Sequence, residues 1–160
     1  MSVQGFSIPR EERYFEDYIP GTVYEFAETV TVSEAEILKF AKEFDPQYFH
    51  IDLDQALAGP FKGLIASGAH TIALTFGLYV RTFLPDKASF GSPGLDELRW
   101  LKPVRPNDVL RLRVTIEEVI PSKSKNNLGT VCSLLETINQ KDEVVLSHKA
   151  KGLIGRRKPA

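Results

Sequence analysis

The sequence predicts an α+β domain in which a curved antiparallel sheet wraps a long central helix at about residues 67–84. Three observations predict it. Gly63 to Val80 holds no Asp, Glu, Lys or Arg, and its apolar residues fall around the whole helical circumference, so other structure should surround it. After Pro85-Asp86 the hydrophobic period changes to two, the period of strands. The strands that follow are joined by connections too short for anything but antiparallel pairing, and a sheet covering such a helix must curl about it.

Each element has its own justification. Residues 1–21 are polar and irregular and read as an N-terminal arm, with Tyr14, Phe15, Tyr18 and Ile19 able to pack on the surface. Pro20-Gly21 is a turn signal. Thr22 to Val32 alternates as a strand, with Tyr24, Phe26, Val30 and Val32 on one face. Ser33 and Glu36 then form a capping box, and Val32 with Ile37 a hydrophobic staple, so a helix starts at Ser33. Ile37, Phe40, Ala41 and Phe44 share its apolar face. Pro46 disfavours helical geometry at Asp45 and ends the helix there.

Asp52 to Leu57 reads as a short helix closed by Gly59-Pro60, with Asp52 and Asp54 as capping and surface groups. Ser67 is placed as the N-cap of the central helix. Strands follow at Gly94 to Leu101, Val109 to Ile120, Leu128 to Asn139 and Glu143 to Ile154. In the second of these Leu110, Leu112, Val114 and Ile116 point inward. Residues 156–160 are a small basic tail, expected to be solvated. The body of the chain, residues 22–155, is expected to form a single domain.

Composition narrows the function classes. A chain of 160 residues with 42% hydrophobic and 26% charged residues has the balance of one ordinary globular domain. A formal net charge of −1 gives no general attraction to nucleic acid or anionic membranes. Ser67, Gly68, His70, Thr71, Thr75 and Gly77 interrupt the uncharged segment, so it reads as a buried helix and not a membrane span. The single Cys132 excludes a disulfide framework and a cysteine-based metal site, and is expected as a small buried strand residue. No basic segment followed by an apolar stretch opens the chain, and a cytoplasmic location is expected.

The chemistry-bearing residues gather in one stretch. Asp45 stands on a constrained helix exit, His50 follows five residues later, and Ser67-Gly68 opens the central helix. A carboxylate, an imidazole and a helix N-terminus are the parts needed to move a proton and polarise a carbonyl. Gln47 has an amide that could orient Asp45 or a substrate. His70 reads as a satisfied buried histidine and His148 as a structural or interfacial residue on an apolar strand face.

Three blocks, Asp45-Pro46-Gln47-Tyr48-Phe49-His50, Gly63-Leu64-Ile65-Ala66-Ser67-Gly68 and Pro103-Val104-Arg105-Pro106-Asn107-Asp108, occur in an order that resembles the MaoC-like acyl dehydratases. That hot-dog-fold family includes the (R)-specific enoyl-CoA hydratases. The family's motif runs Asp, a variable residue, Asn, Pro, an aliphatic residue and His. Asp45 and His50 match it, whereas Gln47 replaces the usual Asn and Tyr48 the usual Pro. Many members carry His-Gly where this chain has Ser67-Gly68.

The resemblance covers about Thr22 to Ile154 and implies a hot-dog domain, a homodimer or higher homo-oligomer, and sites near the interface. It implies hydration of a trans-2-enoyl thioester, carried on coenzyme A or acyl carrier protein, to an (R)-3-hydroxyacyl thioester. Asp45, His50 and Gly68 would be catalytic, and Gln47 and Ser67 substrate-binding. No metal and no organic cofactor would be needed. Thioester hydrolysis and non-catalytic acyl binding are the other functions such a fold could serve.

Overall fold

The computed structural model describes residues 3–158. Residues 1–2 of the expected arm and 159–160 of the expected tail lie outside the described residues. The strands are β1 (Val3–Gln4), β2 (Val23–Thr31), β3 (Leu95–Trp100), β4 (Val109–Pro121), β5 (Leu128–Ile138) and β6 (Val144–Gly155). The helices are α1 (Glu34–Phe44), α2 (Tyr48–Ile51), α3 (Leu53–Ala58) and α4 (Gly68–Thr82). The strands form one sheet in the order β1-β2-β4-β5-β6-β3, in which only β1 pairs in parallel.

The alternation read from the sequence sets which face of this sheet is buried. Leu110, Leu112, Val114 and Ile116 of β4 have no exposed surface. Leu112, Val114 and Ile116 join Val131 and Leu135 of β5 and Ala150 and Ile154 of β6 in a cluster with Leu78, Tyr79 and Phe83 at the α4 end, and Leu110 packs in a second cluster with Val32, Ile37 and Leu146. Burying each such side chain contributes about 1.5–3 kcal/mol, which makes this face the main source of stability.

The central helix starts and stops within two residues of its expected bounds, but the sheet covers one side of it. Thr71, Thr75, Leu78, Tyr79 and Thr82 are buried, whereas Ala73 is exposed and Val80 is 42% exposed. Threonines can line the buried face because their hydroxyls are satisfied. Thr71, Thr75 and Thr82 donate to the carbonyls of Ser67, Thr71 and Leu78, and the Thr75 and Thr137 hydroxyls meet at 2.6 Å. That last contact docks α4 onto β5.

The segment expected as a surface arm is built into the core. Phe15 and Tyr18 are buried. Arg13, also buried, donates to the carbonyls of Thr82 at 2.6 Å and Phe83 at 3.1 Å. The Tyr18 hydroxyl adds a bond to Phe83 at 2.9 Å. The last carbonyls of α4 therefore find partners in the N-terminal segment, with a cation at the negative end of the helix. The tail is not freely solvated either, since Arg156 and Arg157 pair with Glu16 and Asp17 of the same segment.

His148 sets a pH limit on stability. It lies on the helix-facing side of β6, 1% exposed, and neither ring nitrogen has a hydrogen-bond partner among the described residues. Burial pushes its pKa below the ordinary value. The unfolded chain, with a histidine pKa near 6.5, therefore takes up a proton that the folded chain refuses. Stability is full above about pH 6.5 and falls as pH drops below it, by up to about 1.4 kcal/mol per pH unit for one such group. Denaturant melts between pH 7.5 and 5.0 should show this dependence, and His148→Leu should flatten it. An unchanged slope in that variant would assign the acid lability to other groups.

Candidate active site

Local rules bring the site together from three segments. The capping box at Ser33 and Glu36 starts α1 as expected, and Val32 and Ile37 pack in one buried cluster. The helix ends at Asp45, whose φ of −154° and ψ of 70° leave the helical region just before Pro46. The turn of helix that follows, α2, escaped the sequence reading because four residues are too few to show a period. It carries His50 inward, where the residue is 4% exposed.

An extended strip, Leu64 to Ala66, lies between α2 and the Pro103–Asp108 loop. The Ile65 N–H donates to the Phe49 carbonyl at 3.1 Å and the Ala66 N–H to the Val104 carbonyl at 2.8 Å. The Ile65 carbonyl in turn accepts from His50 Nδ1 at 2.7 Å. A carbonyl only accepts, so Nδ1 carries a hydrogen and Nε2 is the nitrogen left for chemistry.

His50 Nε2 faces Asp45 Oδ2 at 3.3 Å. The same carboxylate oxygen accepts from the Ser67 hydroxyl at 2.7 Å, and Oδ1 accepts from the Gln47 amide at 2.8 Å. Partial burial pushes the Asp45 carboxyl up, but the bonds from Ser67 and Gln47 and the nearby imidazole outweigh it. The carboxyl is held below its ordinary range. Asp45 is thus kept ionised by two fixed donors, with one imidazole nitrogen beside it. A lone pair facing a carboxylate is attractive only with a proton on the contact, so the pair is built to hold and pass one.

Ser67 is the N-cap of α4, accepting from the Ala69 N–H at 3.2 Å. The residue is fully buried and turns its hydroxyl to Asp45 and not to the cavity. Gln47 likewise spends an amide hydrogen on Asp45. Gly68 is the first helical residue, and its φ is not in the left-handed region. The glycine is needed for space, because a β-carbon there would stand 2.6 Å from Cε2 and Nε1 of Trp100. The sequence reading did not find Trp100, since no local signal links it to position 68.

These residues border a cavity of about 770 Å³. Asp45, Gln47, His50 and Gly68 share its lining with Phe49, Phe61, Ile65, Ile72, Trp100 and Val104, so a few polar groups converge in an apolar pocket. His70 does not line it. That ring stacks on Phe40 at 4.6 Å with Nδ1 unpartnered among the described residues, so it is buried but not satisfied. Cys132 is half-buried. Among the described residues no three His, Cys, Asp or Glu side chains gather as a metal set, and no helix is long and apolar enough to cross a membrane.

Comparison with known proteins gives a consistent match. Residues 16–137 fit the model of the MaoC-like domain. The chain is 38% identical to the uncharacterized protein YdeM of Bacillus subtilis, over 88% of this chain and 98% of that protein. The MaoC-like dehydratase of Rhodospirillum rubrum is 38% identical and superposes with a TM-score of 0.84, covering 92% of this chain and 99% of that one. The Mycobacterium tuberculosis protein Rv0216, described as a double hot-dog fold, aligns with a TM-score of 0.76 at 20% identity, over 96% of this chain and 48% of that one. The fold is therefore the hot-dog arrangement that the sequence predicts.

Ser67→Ala separates the two duties of that hydroxyl. Loss of the donor should raise the Asp45 titration midpoint, read by carbon-13 NMR of the carboxyl. Loss of the cap should lower stability by about 1 kcal/mol. An unmoved midpoint would show that Gln47 and His50 suffice to keep the carboxyl low.

Proposed function

The chain belongs to the MaoC-like domain family, and from that premise we propose that it is a hydro-lyase interconverting trans-2-enoyl and (R)-3-hydroxyacyl thioesters. The observation that carries this reading is the 3.3 Å contact of His50 Nε2 with Asp45 Oδ2 at the wall of an apolar cavity. The acyl group would sit in that cavity, with coenzyme A or acyl carrier protein holding the sulfur. Residue by residue, Asp45 and His50 carry the proton chemistry and Gly68 the carbonyl. Ser67 and Gln47 position Asp45.

In the hydration direction a water lies against both Asp45 and His50. Its oxygen bonds to Cβ while its proton passes to the Asp45 carboxylate. Cα takes the proton held on His50 Nε2 from the same side, which makes the addition syn. The 3.3 Å contact then returns the proton from Asp45 to His50, and the pair ends as it began. During the step the thioester oxygen gains negative charge. The Gly68 N–H faces that oxygen at the positive end of α4 and stabilises the charge. The reaction needs neither metal nor organic cofactor.

Assembly belongs to the same reading. Among the described residues strand β3 pairs with β6 alone, which leaves its other edge open at the cavity residue Trp100. An open edge of this length needs cover, and a second copy of the chain would supply it in a homodimer.

Purified protein mixed with crotonyl-CoA should lose the absorbance of the conjugated thioester as the (R)-3-hydroxyacyl product forms. Asp45→Asn and His50→Ala should each slow turnover at least about a hundredfold while remaining folded. Release of free thiol without hydration would reassign the protein to thioester hydrolysis, and near-normal rates in either variant would remove that residue from the mechanism. Light scattering should give at least twice the 17.9 kDa mass of one chain. A strict monomer at micromolar concentration would overturn the assembly.

A further inference from the structure

We propose that the indole face of Trp100 is the wall on which the planar enoyl thioester stacks, making Trp100 a specificity-determining residue for flat, conjugated acyl groups. The proposal rests on the hydration reading above. Trp100 closes β3, where its pairing with Leu146 and the bond from the Leu101 N–H to the Val145 carbonyl fix the strand end. The residue is nonetheless 56% exposed. Among the described residues, of the large hydrophobic ones left exposed, only Trp100 and Leu101 line the cavity.

The contact with Gly68 gives the indole its direction. A β-carbon on Gly68 would lie 2.6 Å from Nε1, 2.6 Å from Cε2 and 3.0 Å from Cζ2. Near-equal distances to three successive ring atoms put that point above the ring, so the indole lies flat against the glycine. Any side chain at position 68 would push it away. An oxygen accepting from the Gly68 N–H stands about 2.9 Å from that nitrogen. The thioester carbon, Cα and Cβ of an enoyl group are coplanar with that oxygen by conjugation. The ring that covers Gly68 then offers them a flat surface. Hydration makes Cβ tetrahedral and ends the planarity, so the wall favours the unsaturated partner.

Trp100 is the only tryptophan, so intrinsic emission reports on this ring alone. Benzoyl-CoA, whose acyl group is planar by conjugation and cannot be hydrated, should quench it saturably in the wild-type protein. In Trp100→Ala the KM for crotonyl-CoA should rise about five- to tenfold, the scale of a lost aromatic contact, with kcat falling less. Trp100→Phe keeps a flat ring and should restore most of the affinity. An unchanged KM in Trp100→Ala, or a phenylalanine variant no better than alanine, would overturn the wall. So would emission that is unmoved by benzoyl-CoA at concentrations that inhibit hydration, an outcome that needs no variant to fold. Saturable quenching in a protein that never hydrates crotonyl-CoA would sink the hydration reading while leaving the wall in place.

Discussion

One hydrogen bond joins the two halves of the site. The Ser67 hydroxyl gives its proton to Asp45 and its lone pair to the Ala69 N–H, so a single oxygen ties the end of α1 to the start of α4. A hydroxyl can do this because it is donor and acceptor at once. The consequence is geometric as well as electrostatic. The carboxylate is held ionised, and it is held beside the helix end whose N–H groups would receive a substrate carbonyl. A shift at either helix would move both parts of the chemistry together.

The strip from Leu64 to Ala66 supports that bond. Its backbone uses one side to bond α2, through the Phe49 carbonyl and His50 Nδ1, and the other to join the loop at Val104. The strip has no periodic pattern and no secondary structure of its own, yet it fixes the tautomer of His50. A side chain at this point could be replaced with little effect on the imidazole, because it is the main-chain carbonyl that orients the ring. Pairing of the Ile65 N–H and C=O and of the Ala66 N–H offsets the cost of burying this strip.

Helix α4 is held at both ends by groups distant in sequence. Ser67 and Asp45 sit at the start, and Arg13 and Tyr18 supply hydrogens to the last carbonyls. Between them the helix meets the sheet through threonines as well as through Leu78 and Tyr79. That mixture explains how a segment with apolar residues on every side can leave Val80 exposed. The hydroxyls return to the helix backbone, so a polar face can be the buried one.

The sequence by itself determined the α+β class, the strands and their inward residues, the caps at Ser33 and Ser67, and the stop at Asp45. Each of these depends on residues within one turn or one strand of each other, where period and capping chemistry act. It also singled out Asp45, His50 and Gly68, because short spacings and helix ends are local features. The tertiary structure alone decided that Gln47 and Ser67 turn toward Asp45, that Trp100 lies over Gly68, and that the first twenty residues complete the core. Those contacts join positions far apart in the chain, such as Arg13 and Phe83, seventy residues apart. No local pattern records them, since they arise only when the sheet and the central helix have closed on each other.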